Sequence, residues 1–89
     1  MLIRRAKGFL KRYKKLPLKV QTKVDAALAL FFHDPQAPAL RNHALSGKFL
    51  GLGSIDVTGD WRVLFRELSG GRYEIVELVA VGTHSQIYG

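Results

Sequence analysis

The spacing of hydrophobic positions changes along the chain, and each change marks a new element. Leu2 and Ile3 open it as a short apolar pair that predicts a first strand. Apolar residues then recur at Ala6, Phe9, Leu10 and Tyr13, the i, i+3, i+4, i+7 spacing of one helix face. Lys7, Lys11, Lys14 and Lys15 fall on the rest of that surface. The helix is expected to end at Leu16, because a residue ahead of proline is steered away from helical backbone. Pro17 suits the first turn of a second helix. Val20, Val24, Ala27, Leu28 and Phe31 line one face of that helix, and His33-Asp34-Pro35 stops it. Two helices joined by so short a turn predict an antiparallel hairpin.

Residues 34–48 hold Pro35 and Pro38 and little periodicity, so a loop is expected there. From Phe49 the pattern becomes that of strands. Leu50, Leu52, Ile55 and Val57 predict one strand, with an irregularity near Gly51 and Gly53. Thr58-Gly59-Asp60 is a turn, Trp61 to Leu68 a strand, Ser69-Gly70-Gly71 a hairpin turn, and Tyr73 to Val81 a long strand. Ile75 to Val81 is apolar except for Glu77, which predicts burial on both faces. Gly82 breaks that strand and leaves Thr83 to Tyr88 as a short tail. The expected architecture is α+β in a single domain, residues 1–89. A short N-terminal strand and a two-helix antiparallel hairpin pack on a mainly antiparallel sheet of three to four strands.

Composition narrows what such a domain can be. With 47% hydrophobic and 24% charged residues the chain should fold, and with no cysteine neither disulfides nor thiolate metal sites can brace it. No apolar run approaches the roughly 20 residues that span a bilayer, and Met1 to Lys15 lacks a signal peptide's apolar centre. The expectation is a cytoplasmic protein with no membrane partner. Net charge is +7 and unevenly placed. Arg4, Arg5, Lys7, Lys11, Arg12, Lys14, Lys15, Lys19 and Lys23 all precede Asp25, the first acidic residue. An acid-free run of nine cations suits a polyanion, where an isolated few would be only a solvated helix face.

Three local patterns then carry a resemblance. Leu40-Arg41-Asn42-His43-Ala44-Leu45-Ser46-Gly47 sets a histidine ahead of Leu-x-Gly before the sheet. Val57-Thr58-Gly59-Asp60-Trp61-Arg62-Val63-Leu64-Phe65 is a turn and strand carrying Asp, an aromatic and Arg. Val81-Gly82-Thr83-His84-Ser85-Gln86-Ile87-Tyr88 ends the chain on a histidine with an aromatic four residues later. In this order, with these elements, the chain resembles the RelE/ParE superfamily of toxins over essentially its whole length, and its YafQ-like members most.

The resemblance implies a RelE-like fold and one half of a bacterial type II toxin–antitoxin pair. It implies an endoribonuclease that cuts translated mRNA on the ribosome without a cofactor or metal. The implied partners are the ribosome, mRNA and a cognate antitoxin, with which a higher toxin–antitoxin oligomer can form. His43, Asp60, Trp61, His84 and Tyr88 fall on functional positions of the YafQ-like toxins, and Arg62 falls where RelE has a phosphate-contacting arginine. The chain departs from the pattern at three positions. Asp56 stands where YafQ-like toxins have a histidine and RelE a lysine, Ser54 where RelE has a further lysine, and His84 where RelE has an arginine.

These residue types suit RNA cleavage, because RNA carries its own nucleophile. A base takes the 2′-OH proton, an acid protonates the departing 5′-oxygen, and cations stabilise the charge on phosphorus. Histidine, with an unperturbed pKa of about 6.5, serves either proton transfer. His84, Arg62, His43 and Asp60 are the candidate catalytic residues. Tyr88, Trp61, Lys48, Arg66, Lys11, Lys14 and Lys15 are candidates for substrate binding. Each has a plainer alternative. His43 and His84 would be exposed loop histidines, and Arg62 a surface cation paired with Asp60 or Asp56. Trp61 would be core, Tyr88 a lid on the core edge, and Asp60 ordinary turn chemistry. Histidines at 33, 43 and 84 have no metal-ligand spacing. The rival functions are a ParE-like gyrase poison, a non-catalytic RNA-binding domain, and a degenerate toxin retained as an antitoxin partner.

Overall fold

A computed structural model describes residues 1–89. The elements run β1 (Leu2–Arg5), α1 (Lys7–Lys14), α2 (Leu18–His33), β2 (His43–Ala44), β3 (Gly53–Asp56), β4 (Trp61–Glu67), β5 (Ile75–Thr83) and α3 (His84–Tyr88). Single 3₁₀ turns, Pro38–Leu40 and Gly47–Phe49, flank β2. The α+β class and the helical pair on a sheet are as the sequence implies. The sheet has five strands rather than three to four, in the order β1-β5-β4-β3-β2. The additional strand is β2, inside the expected loop, where His43 pairs with Ser54 and Ala44 with Gly53. β1 lies parallel to β5, Leu2 opposite Ile75, while the other pairs are antiparallel.

The helical pair is tied at its turn. Pro17 caps α2 rather than entering its first turn, and its carbonyl accepts from Val20 and Gln21 N–H at 2.9 and 3.0 Å. The Gln21 side chain donates at 2.9 Å to the Tyr13 carbonyl, which also accepts from Leu16 N–H at 3.1 Å, and so ties α2 to the end of α1. The Tyr13 hydroxyl donates to Asp25 at 2.6 Å, and that bond holds the phenol above its ordinary pKa.

Both helices cover one face of the sheet. Phe9 from α1 and Val24, Ala27 and Phe31 from α2 pack on Ile55, Val63, Phe65, Val76, Leu78 and Val81. Each large side chain so buried contributes roughly 1.5–3 kcal/mol. Gly53 has a packing reason to be glycine, since a Cβ there would lie 2.4 Å from the Phe65 ring. The expectation that β5 is buried on both faces is not met. Val76, Leu78 and Val81 sink into the core, while Ile75, Glu77, Val79 and Ala80 are half-exposed, because only one layer of helices exists to cover the sheet. Pairing of Leu64 with Ala80 and Phe65 with Leu78 leaves Val79 as a bulge, which re-aims the rest of β5. The chain does not stop at Gly82 but continues to Thr83 and turns into α3. No helix is long and apolar enough to cross a membrane.

Candidate functional site

The sheet's other face carries Ser54 and Asp56 from β3 and Arg62 and Leu64 from β4, by the alternation of side chains along each strand. His43 on β2 stands opposite Ser54, and Gly82 on β5 stands opposite Arg62. α3 closes this face at one end. Thr83 caps it through a reciprocal box in which Gln86 N–H donates to the threonine hydroxyl at 3.2 Å and Thr83 N–H to the Gln86 side chain at 2.9 Å. A Cβ at Gly82 would meet the Gln86 Oε1 at 3.1 Å, so glycine there lets α3 lie across the strand.

What results is a polar cleft of about 290 Å³. His43, Ser54, Asp56 and Arg62 come from the sheet, His84 and Tyr88 from α3, and Arg41 and Leu45 from the segments flanking β2. Arg62 is fixed within it. Its Nε lies 3.1 Å from Asp56, its Nη1 donates to the Thr58 and Trp61 carbonyls at 3.0 Å each, and its Nη2 to Gly59 at 3.1 Å. Asp56 also faces Arg41, whose Nε is 3.6 Å away. The His43 ring is held too, with Nδ1 2.8 Å from the Arg41 carbonyl. A carbonyl only accepts, so Nδ1 carries the hydrogen and, in the neutral ring, Nε2 keeps its lone pair. The His84 and Tyr88 rings meet at a tilt of 50° with centroids 4.7 Å apart, and Tyr88 meets Phe49 edge-on at 5.4 Å. The Ser54 hydroxyl is fully buried and has no hydrogen-bond partner.

Four of the candidate residues named from the sequence, His43, Arg62, His84 and Tyr88, therefore line one cleft. The others lie outside it. Asp60 is exposed and contributes its backbone carbonyl, which accepts the His84 N–H at 3.0 Å. Trp61 packs on the helix-side core, in line with its plainer reading. Arg66 pairs with Glu77 at 3.5 Å, and exposed Lys48 sits 5.3 Å from the Phe49 ring centre. Lys11 and Lys15 line a separate cationic recess on α1 with Arg12, and Lys14 is exposed beside it. Gly8 and Arg12 of that recess also line a groove with Phe49 and Ile87, so the basic helix adjoins the α3 end of the cleft. Arg62 enters the cleft with four of its five N–H groups already partnered. Sequence reasoning missed Arg41 as a site residue. Its one signal is the two-residue spacing from His43, which in extended chain puts both on one side. No three of His, Cys, Asp or Glu come together as a metal site would require.

No protein-family model matches the sequence, and no curated protein does. Solved structures do match. YafQ from Escherichia coli superposes with a TM-score of 0.80 at 18% identity, over 98% of this chain and 97% of YafQ. The YoeB/ParE toxin from Agrobacterium tumefaciens gives 0.75 at 17% identity, over 94% and 99%. YafQ within the E. coli DinJ–YafQ toxin–antitoxin complex gives 0.71 at 16%, over 98% and 96%. The chain has the fold of these toxins from end to end.

Proposed function

We propose that this chain is the toxin of a type II toxin–antitoxin pair and an endoribonuclease that cuts translated mRNA on the ribosome. One observation carries the reading. Two histidines from separate elements share a cleft with two arginines, on a fold shared with YafQ and YoeB/ParE toxins. His43 presents Nε2 as a base because its Nδ1 hydrogen is engaged by Arg41. It takes the 2′-OH proton, and O2′ attacks the adjacent phosphorus. The P–O5′ bond breaks, and His84 as imidazolium gives its proton to the departing O5′. The products are a 2′,3′-cyclic phosphate and a free 5′-OH. Arg62, locked in place, supplies fixed positive charge beside the phosphorane-like transition state. Tyr88, at the cleft's edge, offers its ring to a neighbouring base. Such stacking is typically worth roughly 1–3 kcal/mol.

The cations of α1 extend the reading to its partners. Their recess shares Gly8 and Arg12 with a groove that reaches Gln86 and Ile87 of α3, and it suits the phosphate backbone of ribosome-bound RNA. Leu2, Leu18, Phe32 and Leu50 are more than half exposed, and an amphipathic antitoxin would cover such positions. The site of action would be the cytoplasm, where mRNA is translated.

Primer extension on mRNA in a translating extract tests the activity. New 5′ ends should appear only on translated message and only with the protein present. Pairing of Asp56 with both arginines favours a second reading, a non-catalytic antitoxin- or RNA-binding relative whose cleft arginines face a carboxylate instead of a substrate. That relative would bind ribosomes and leave the message whole. Intact message with arrested DNA replication would point to gyrase.

A further inference from the structure

Two arginines face this cleft, and their surroundings give them opposite roles. A guanidinium has five N–H donors in a fixed fork. Arg62 has four of them engaged, by Asp56 and by the carbonyls of Thr58, Gly59 and Trp61, and its side chain is only 15% exposed. One N–H is left, and a bidentate grip on a phosphate needs two from one edge. Arg62 therefore braces the turn that carries β4. Arg41 is the reverse. Its side chain is 77% exposed, and its one contact is the 3.6 Å approach of Nε to Asp56, longer than a hydrogen bond. Both of its terminal nitrogens are free.

The Ser54 hydroxyl is a second, independent observation that points to a ligand. It is the one buried side-chain polar atom in the molecule without a partner. Burying such a group unpaired costs free energy, and native structures rarely tolerate it without a reason. Ser54 lies opposite His43 in the ladder and lines the same cleft as Arg41. Two arginines against the single carboxylate of Asp56 leave the cleft at least one positive charge in excess. An anion is what such a site takes.

We infer that the cleft is a receptor for one phosphate group, gripped by Arg41 rather than Arg62, with the Ser54 hydroxyl as a donor beneath it. The anion displaces Asp56 from Arg41, where the contact is loose, and leaves the 3.1 Å pair with Arg62 intact. Arg41 sits in left-handed backbone at φ 46°, held by its N–H to the Pro38 carbonyl at 3.2 Å, and its own carbonyl orients His43. Phosphate capture and preparation of the base thus meet in one residue. That this phosphate is the scissile one rests on the nuclease reading, but the binding itself does not.

The test is titration of the whole chain with adenosine 3′-monophosphate at fixed ionic strength, followed by the imidazole NMR signals of His43 and His84. Saturable binding that shifts His43, with none by adenosine, is expected. Arg41→Gln should weaken it by roughly tenfold or more, the usual scale for losing a charge-assisted hydrogen bond, without moving the melting temperature. Arg41→Gly, which relieves the left-handed backbone, should lose binding equally and so excludes a folding artefact. Ser54→Ala should weaken binding severalfold without lowering the melting temperature, since it removes an unpaired group. Failure of the wild type to bind, or wild-type affinity in both Arg41 variants, overturns the inference. Cleavage of message by a protein that does not bind the nucleotide would overturn it and spare the nuclease reading. Binding without cleavage would uphold the phosphate site and sink the nuclease.

Discussion

The two ends of the β4 strand are built on opposite principles. At the hairpin end Glu67 accepts from Ser69, Gly71 and Tyr73 N–H at 2.9, 2.7 and 2.8 Å and also from the Ser69 hydroxyl. That hydroxyl accepts in turn from Glu74 and Ile75 N–H, at 2.9 and 3.1 Å. The loop, including Tyr73 at φ 56°, is a closed network. At the cleft end Asp56 is divided between two arginines, Ser54 has nothing, and both histidines are exposed. Satisfied polar groups make a fixed turn. Unsatisfied ones on a rigid sheet mark where chemistry can be done.

The sharpest break in that comparison comes from the histidines. His43→Ala and His84→Ala should each lower mRNA cleavage by roughly 10²–10⁴-fold, the range for one acid–base group. Thermal melting should be unchanged, because neither side chain is buried. A variant that cleaves at the wild-type rate removes its residue from the mechanism. Gly53→Ala sits between the two ends and should do the opposite. A Cβ driven 2.4 Å from the Phe65 ring is overpacking, which costs about 1–3 kcal/mol and should lower the melting temperature by several degrees. An unshifted melt would mean that Phe65 has room to move.

Glu67→Gln should be milder and dependent on pH. The Ser69 hydroxyl bond, ahead of the backbone N–H bonds, holds the Glu67 carboxyl down to about 2 from 4.5. A lowered folded-state value means that the stabilisation is fully present above about 4.5 and fades as pH falls towards 2. The variant should therefore melt below wild type at neutral pH and converge with it near pH 2, with cleavage unaffected where both are folded. A gap that does not close in acid would assign the effect to shape rather than charge. The smallest effect belongs to the basic helix. Exchanging Lys11, Lys14 and Lys15 for Gln should leave melting within about 0.5 kcal/mol per site. The same exchange should flatten the salt dependence of ribosome binding by somewhat under one log unit for each phosphate left unneutralised. An unchanged slope would confine those lysines to solubility or antitoxin binding.

The sequence is readable where periodicity is long. Phe9, Val24 and Phe31 mark the two helices, and alternation along Trp61 to Leu68 assigns Val63 and Phe65 to the core and Arg62 to the other face, as the structure has them. β2 is not readable, because a two-residue strand has no period and exists through its pairing with Ser54 and Gly53. α3 is nearly as short, yet it leaves a signal, since Thr83-x-x-Gln86 is a capping-box spacing. The meeting of His43, Arg62, His84 and Tyr88 is legible through the resemblance alone and not through any spacing in the chain. The division of labour between Arg62 and Arg41 is not legible, because Arg62's partners are backbone carbonyls whose positions no residue pattern announces.

The parallel pairing of β1 with β5 fixes an order of events during synthesis. Leu2 finds its ladder partner only at Ile75, almost the whole chain later, so the first strand made is the last able to dock. Pairings this distant in sequence are slow to form. Meanwhile Ala6 N–H, which bonds the Leu78 carbonyl at 2.9 Å, and Phe9, whose burial needs the finished sheet, stay without partners. The growing chain thus leaves Leu2, Ile3 and the seam of α1 uncovered until β5 emerges.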